Sequence, residues 1–250
     1  MKIIFTKESL DWINENRLYS YPRKGINHLR IGGSVEFIDN LSVEPYTGFY
    51  PFTKIISAGS FSYSHSMNGH PLNFKMGRYC SIAGNVSHRG YNHPSNLLST
   101  SPFAYDADES IIDGFIQDFD SEYTNIHHTQ QLTTASIQND VWIGDGVHLY
   151  PGITISTGAI IATKSVLTKS VGAYEIWGGN PAKFIKKRFD DATITLLIES
   201  EWWNYKFTDF KGLPINSPHD FASQFTATKD AFEKYTPRLI NLNEMPGERI

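Results

Sequence analysis

Residues 135–171 read ASIQNDVWIGDGVHLYPGITISTGAIIATKSVLTKSV, and every sixth position from Ile137 is a branched aliphatic: Ile137, Ile143, Leu149, Ile155, Ile161 and Leu167. Four residues after each stands a second column, Val141, Val147, Ile153, Ala159, Ser165 and Val171, all small or β-branched. An α-helix returns its apolar face every three to four residues, and an ordinary strand alternates by two. A strict return at six means that each short strand repeats the same corner and the same inward side chain. Coils of this kind stack, and each covers the aliphatic column of its neighbour. The fold class expected is all-β: a left-handed parallel β-helix of six-residue repeats.

Working toward the N-terminus, the period weakens. Ile31, Phe37 and Val43 lie six apart, with Val35 and Leu41 as companions, and Ile55, Phe61 and Met67 form a second trace. Met76 and Ile82 follow, with companions Cys80 and Val86. The β-helix domain is therefore expected over 31–189, after an N-terminal extension 1–30 with a short helix near 7–15. Residues 87–134 break the period. They hold Pro94, Pro102 and the acidic run DADESIIDGFIQDFDSE. An interruption this long inside a compact domain is commonly functional, so it is expected to leave the wall as an excursion loop.

Past residue 189 the pattern becomes helical. Ile194, Leu197, Ile198 and Trp202 share a helical face opened by Asp190 or Asp191 as a cap. Ser217-Pro218 opens a second helix expected over 218–235, with Phe221, Phe225, Phe232 and Tyr235 as its buried stripe. Residues 190–250 are thus expected as a C-terminal helical extension.

The totals bound what such a chain can do. In 250 residues, 40% are hydrophobic and 19% charged, which describes a globular chain and not a disordered one. A net charge of -4 gives no basic field for nucleic acid. The single cysteine, Cys80, leaves the fold independent of disulfides. MKIIFTKESLDW lacks the apolar stretch of a signal peptide, and no run reaches the roughly 18 apolar residues of a membrane span. No transmembrane segment and a cytoplasmic location are expected. Neither a phosphate-binding P-loop nor a dinucleotide glycine motif is present.

Three stretches carry a resemblance. They are FKMGRYCSIAGNVSHRGYNHPSNLLSTSPF at 74–103, the hexad region 135–171, and YEIWGGNPAKFIKKRF at 174–189. With Glu201-Trp202-Trp203 they resemble the hexapeptide-repeat xenobiotic acyltransferases, which include chloramphenicol and streptogramin acetyltransferases and many sugar and polysaccharide O-acetyltransferases. The likeness covers 74–103 and 135–203. It implies acetyl-CoA as co-substrate, a homotrimer with coenzyme A in a groove between neighbouring β-helices, and a loop histidine as base.

Carried over residue by residue, the resemblance makes His93, in Tyr91-Asn92-His93-Pro94, the general base. Histidine has the natural pKa for that task. Trp142, Gly144, Ala162 and Thr163 match positions near the coenzyme A groove. Lys164 and Lys169 are candidates for its phosphates. Pro181 is expected against the adenine, with Lys183, Lys186, Lys187 and Arg188 supplying positive charge. Tyr79, Asn85, Tyr91 and Tyr105 are expected to line the acceptor pocket. The acceptor expected is a hydroxyl of a sugar or surface polysaccharide, with an antibiotic hydroxyl as the alternative. His88 and His93, five residues apart, also admit a zinc reading like that of γ-class carbonic anhydrases, and His127-His128 is a weaker pair of the same kind. A β-helix assembly module without activity is the non-enzymatic alternative. The reading adopted needs no metal.

Overall fold

The computed structural model describes residues 1–23, 28–88, 93–119, 123 and 133–250. The chain is a left-handed parallel β-helix followed by helices, and it divides into two compact units. One unit comprises Met1–His88 with Thr134–Ile250, and the other comprises Arg89–Thr133.

Each hexad contributes one two-residue strand, and three hexads complete a coil. One face stacks Ser57–Ala58, Lys75–Met76, Ser136–Ile137 and Thr154–Ile155 in parallel. The second stacks Tyr63–Ser64, Ser81–Ile82, Trp142–Ile143 and Ile160–Ile161. The third stacks Ser87–His88, His148–Leu149 and Val166–Leu167. All six aliphatics from Ile137 to Leu167 are buried, and so are all six companions from Val141 to Val171. Three residues before each inward aliphatic from Ile143 to Leu167 the backbone turns through positive φ, at Asp140, Gly146, Gly152, Gly158 and Lys164. Glycine takes that conformation without steric cost, which is why three of these five corners are glycine.

The N-terminal half departs from expectation. The parallel ladder begins at Leu18–Tyr19, which pairs with Thr47–Phe49, well before residue 31. Ile31 is 69% exposed, and Phe61 sits at a corner with φ 66. The strands there are Ser57–Ala58 and Tyr63–Ser64, three residues out of phase with the trace through Ile55, Phe61 and Met67. The cause is chemical. Ala58, Ser64, Met76, Ile82 and His88 occupy the repeat's inward position, so small and polar side chains interrupt the aliphatic signal.

The polar members satisfy one another. Ser64 Oγ lies 2.8 Å from His70 Nε2, and His70 Nδ1 lies 3.1 Å from His88 Nε2. His70 is 1% exposed, and its ring stacks on Phe74 at 4.5 Å. Burial, then the neighbouring His88 and Lys54, pushes His70 down to about 3. Burial, then His148, pushes His88 down to about 4. Both imidazoles are therefore neutral when folded, while the unfolded chain takes protons below about pH 6.5. Stability should fall as pH falls from about 6.5 toward 4. His88→Leu, which continues the column of Leu149 and Leu167, should flatten that dependence. Denaturant midpoints measured across pH 4–7.5 check this, and parallel slopes for wild type and variant would contradict it.

At the N-terminus the expected short helix is present as α1, Lys7–Glu15. Its capping box joins Thr6 and Ser9 through bonds of 2.9 and 3.3 Å. After the last coil, Glu175–Gly179 and Ala182–Lys187 form an antiparallel hairpin. Then comes Asp191–Ser200, capped by Asp190, which accepts from Thr193 N at 2.7 Å. Pro218–Thr228 is the last helix and ends seven residues short of the expected 235. Phe221 and Phe225 are buried, whereas Phe232 reaches the same aromatic cluster from outside the helix.

Candidate functional site

The excursion Arg89–Thr133 holds His93, which is exposed. Ser101 leads into a single 3-10 turn, Pro102–Ala104, which delivers Tyr105 beside the imidazole. His93 Nδ1 lies 2.6 Å from the Tyr105 hydroxyl, with the rings edge to face at 6.1 Å. In the tautomer that donates Nδ1–H to Tyr105, the Nε2 lone pair is left to take a proton. Ser110–Phe119 is helical within the same unit. Phe103, Ile112, Phe115, Ile116 and Tyr123 line a hollow of about 240 Å³ there, and Tyr123 Oη donates to Phe103 O at 2.7 Å. His93 and Tyr105, twelve residues apart, are therefore brought together. Tyr91 lies outside the described residues, as do His127 and His128.

The β-helix unit holds the remaining expected residues. Asn85 sits at a corner with φ 57 and donates from Nδ2 to Asp145 Oδ1 at 2.9 Å. Asp145 also pairs with Lys164 at 3.1 Å, so three adjacent corners are laced together on the surface. Tyr79 is an anchor. Its hydroxyl donates to Tyr205 O at 3.0 Å, and its ring packs between Phe61 at 4.9 Å and Trp202 at 5.0 Å. Burial raises the Tyr79 phenol above its ordinary value. Tyr79 thereby docks the C-terminal segment against the β-helix.

On the second face, Gly144, Ala162 and Gly178 follow the registered residues Ile143, Ile161 and Trp177 and form a strip without bulky side chains. A Cβ on Gly144 would stand 2.6 Å from Thr163 N, and one on Gly178 would stand 3.0 Å from Ala162 Cβ. The coils close this tightly only because these positions are small. Trp142 flanks the strip and is 53% exposed.

The cations divide by environment. Arg188 Nη1 is held by Asp140 Oδ2 at 2.9 Å and Gly158 O at 2.7 Å, between the rings of Tyr174 and Phe189. Burial raises Asp140, against the pull of Arg188. Arg188 thus fastens the C-terminal helices to the last coils, beside a cavity of about 250 Å³ walled by Tyr174, Trp202, Phe210 and Phe221. Lys187 is paired with Asp191. Lys169 and Lys183 are exposed and make no ion pair among the described residues. Pro181, at the hairpin turn, is also exposed.

Among the described residues, no three His, Cys, Asp or Glu side chains stand close enough to share a metal ion. His88, the member of the possible zinc pair in this unit, is bonded to His70. No helix among the described residues is long and apolar enough to cross a membrane. His70 and Ser64 were not singled out from sequence. The spacing of 18 residues between His70 and His88, one full coil, was the signal that could have found them.

No protein-family model matches the chain. It is similar to a chloramphenicol acetyltransferase of Klebsiella aerogenes, at 40% identity over 144 residues covering 54% of this chain and 61% of that protein. It is also similar to a probable macrolide acetyltransferase of Lysinibacillus sphaericus, at 40% over 132 residues covering 52% and 68%. A chloramphenicol acetyltransferase of Agrobacterium fabrum matches at 38% over 163 residues, covering 60% and 69%. The chain thus spans under two thirds of the first of these relatives and just over two thirds of the other two.

Proposed function

Because this chain belongs to the hexapeptide-repeat xenobiotic acyltransferase family, we propose that it moves an acetyl group from acetyl-CoA to a hydroxyl of a sugar or surface polysaccharide. The observation that carries the chemistry is the 2.6 Å contact between His93 Nδ1 and Tyr105. It orients the imidazole and leaves Nε2 to work on the acceptor. His93 Nε2 takes the proton of the attacking hydroxyl as its oxygen joins the thioester carbonyl. The same imidazolium returns that proton to the sulfur as the carbon–sulfur bond breaks. The products are an acetyl ester and free coenzyme A, with no net proton change at the protein.

The strip at Gly144, Ala162 and Gly178, with Thr163 beside it, fits the thin amide-bearing arm of coenzyme A. Its backbone can approach closely where no side chain intervenes. Trp142 forms one flank. Pro181 lies toward the adenine, and Lys183 and Lys169 meet the phosphates as unpaired cations. Lys164 and Lys187 each already share a carboxylate, so their contribution is smaller. A homotrimer completes the groove by setting a neighbouring β-helix beside the strip.

Lys183→Ala should weaken acetyl-CoA binding by about 1.5–3 kcal/mol, the worth of a charge-assisted hydrogen bond. Calorimetry checks this, and unchanged affinity would remove Lys183 from the site. Light scattering should give the mass of three chains, and a monomer at micromolar concentration would end the shared-groove reading.

The names of the similar proteins support a second acceptor class, an antibiotic hydroxyl. A thiol-release assay with oligosaccharides, chloramphenicol and a macrolide decides between them. The carbohydrate reading predicts release with an oligosaccharide, and release with the antibiotics alone would overturn it.

A further inference from the structure

The outer side of the longest sheet carries a patch of rings that, Trp142 apart, have no part in the proposed chemistry. In register across successive coils, its outward residues are Tyr19, Gly48, Tyr63, Ser81 and Trp142. Large and small side chains therefore alternate. A Cβ on Gly48 would fall 2.2 Å from the Tyr50 hydroxyl oxygen and 2.6 Å from Tyr50 Cζ. The ring of Tyr50 thus lies over the glycine, between Tyr19 and Tyr63. Its centroid is 6.2 Å from that of Tyr63, and His65 lies 4.8 Å from Tyr50 and 5.7 Å from Tyr63. Burial, and then the Tyr63 and Tyr19 phenols, push Tyr50 up to about 12. Tyr19 is 44% exposed, Tyr63 37% and Trp142 53%.

The chemistry of the strip selects its occupant. None of these seven residues carries a permanent charge, so an ionic partner gains nothing here. The phenol and imidazole edges need hydrogen bonds, so a purely apolar partner would strand them. A sugar ring meets both demands, with an apolar C–H face for the rings and hydroxyls for their edges. Coils rise by about 4.8 Å, so Tyr63 and Trp142, two coils apart, are separated by roughly 10 Å along a straight line, which suits an extended chain. The strip is continuous with Trp142, the flank of the proposed donor groove.

We infer that Tyr19, Tyr50, Tyr63 and His65 form a subsite for uncharged sugar units of a carbohydrate acceptor chain, leading that chain toward Trp142. The direction of the chain rests on the acyltransferase reading; the binding itself does not.

The test is calorimetric titration of the whole protein, without acetyl-CoA, with cellohexaose, maltohexaose and chitohexaose. At least one hexaose should bind, and Tyr19→Ala and Tyr63→Ala should each weaken it by about three- to tenfold, the worth of one stacked ring. Both variants should keep wild-type acetyl-CoA affinity and oligomeric mass. No binding of any hexaose, or equal binding by the variants, would overturn the inference. Variants that change the oligomeric mass would also overturn it, by assigning the patch to a contact between copies. Failure of the acyltransferase reading would appear separately, as wild-type protein that does not bind acetyl-CoA.

Discussion

His93→Ala should lower turnover by about 10²–10⁴-fold while leaving acetyl-CoA affinity close to wild type. The acceptor hydroxyl is a poor nucleophile while it keeps its proton, so the base acts chiefly in the transition state. The loss should appear in kcat, with the KM for acetyl-CoA little changed. Tyr105→Phe removes the partner 2.6 Å from Nδ1 but keeps the ring. It should cost less than His93→Ala, because the imidazole remains and only its orientation is freed. His88→Ala serves as a contrast. It disturbs a buried pair in the β-helix, so it should lower stability more than turnover of the folded protein. Full activity of His93→Ala with the true acceptor would remove His93 from the chemistry.

Ile161→Ala should cost about 2–5 kcal/mol of stability, the range for emptying a buried aliphatic site. Ile161 is 0% exposed and stands in register between Ile143 and Trp177. A cavity there severs the column between the last coils and those before them. Neighbouring coils have no other partner along the axis, so relaxation is limited. The apparent melting temperature should drop on the order of 10 °C for a chain of this size. Ile160, one residue earlier, points outward and is half-buried. Ile160→Ala should cost far less. Equal losses for the two would contradict the inward–outward assignment on which the repeat rests.

The C-terminal coils were legible because each inward position from Ile137 to Leu167 is aliphatic, so period and burial coincide. The earlier coils obey the same geometry, yet Ser64 and His88 replace the aliphatics. Burial there rests on hydrogen bonds between residues a whole coil apart, and hydropathy does not register them. Two helix starts were legible locally, one through the Asp190 cap and the other through Pro218 at the first helical position. The end of the last helix was not, because Phe232 keeps the aromatic spacing while packing from outside it.

The site divides along the same line. The pairing of His93 with Tyr105 is local, within one excursion, and both residues were named from sequence. The contacts of Tyr79 and Arg188 were not legible, because their partners are distant. Tyr205 is 126 residues from Tyr79, and Asp140 is 48 from Arg188. A tyrosine or arginine beside a motif looks available until the chain that covers it is in place. The C-terminal extension engages Tyr79 through Tyr205 and Trp202, whereas Arg188 is held by the coils themselves.

Calorimetric titration of acetyl-CoA into the wild-type protein tests the acyltransferase assignment without knowledge of the acceptor. Binding should be saturable, with one site per chain, retained in His93→Ala and weakened in Lys183→Ala. Wild-type protein that is folded yet takes up no acetyl-CoA would rule out acetyl transfer from that donor.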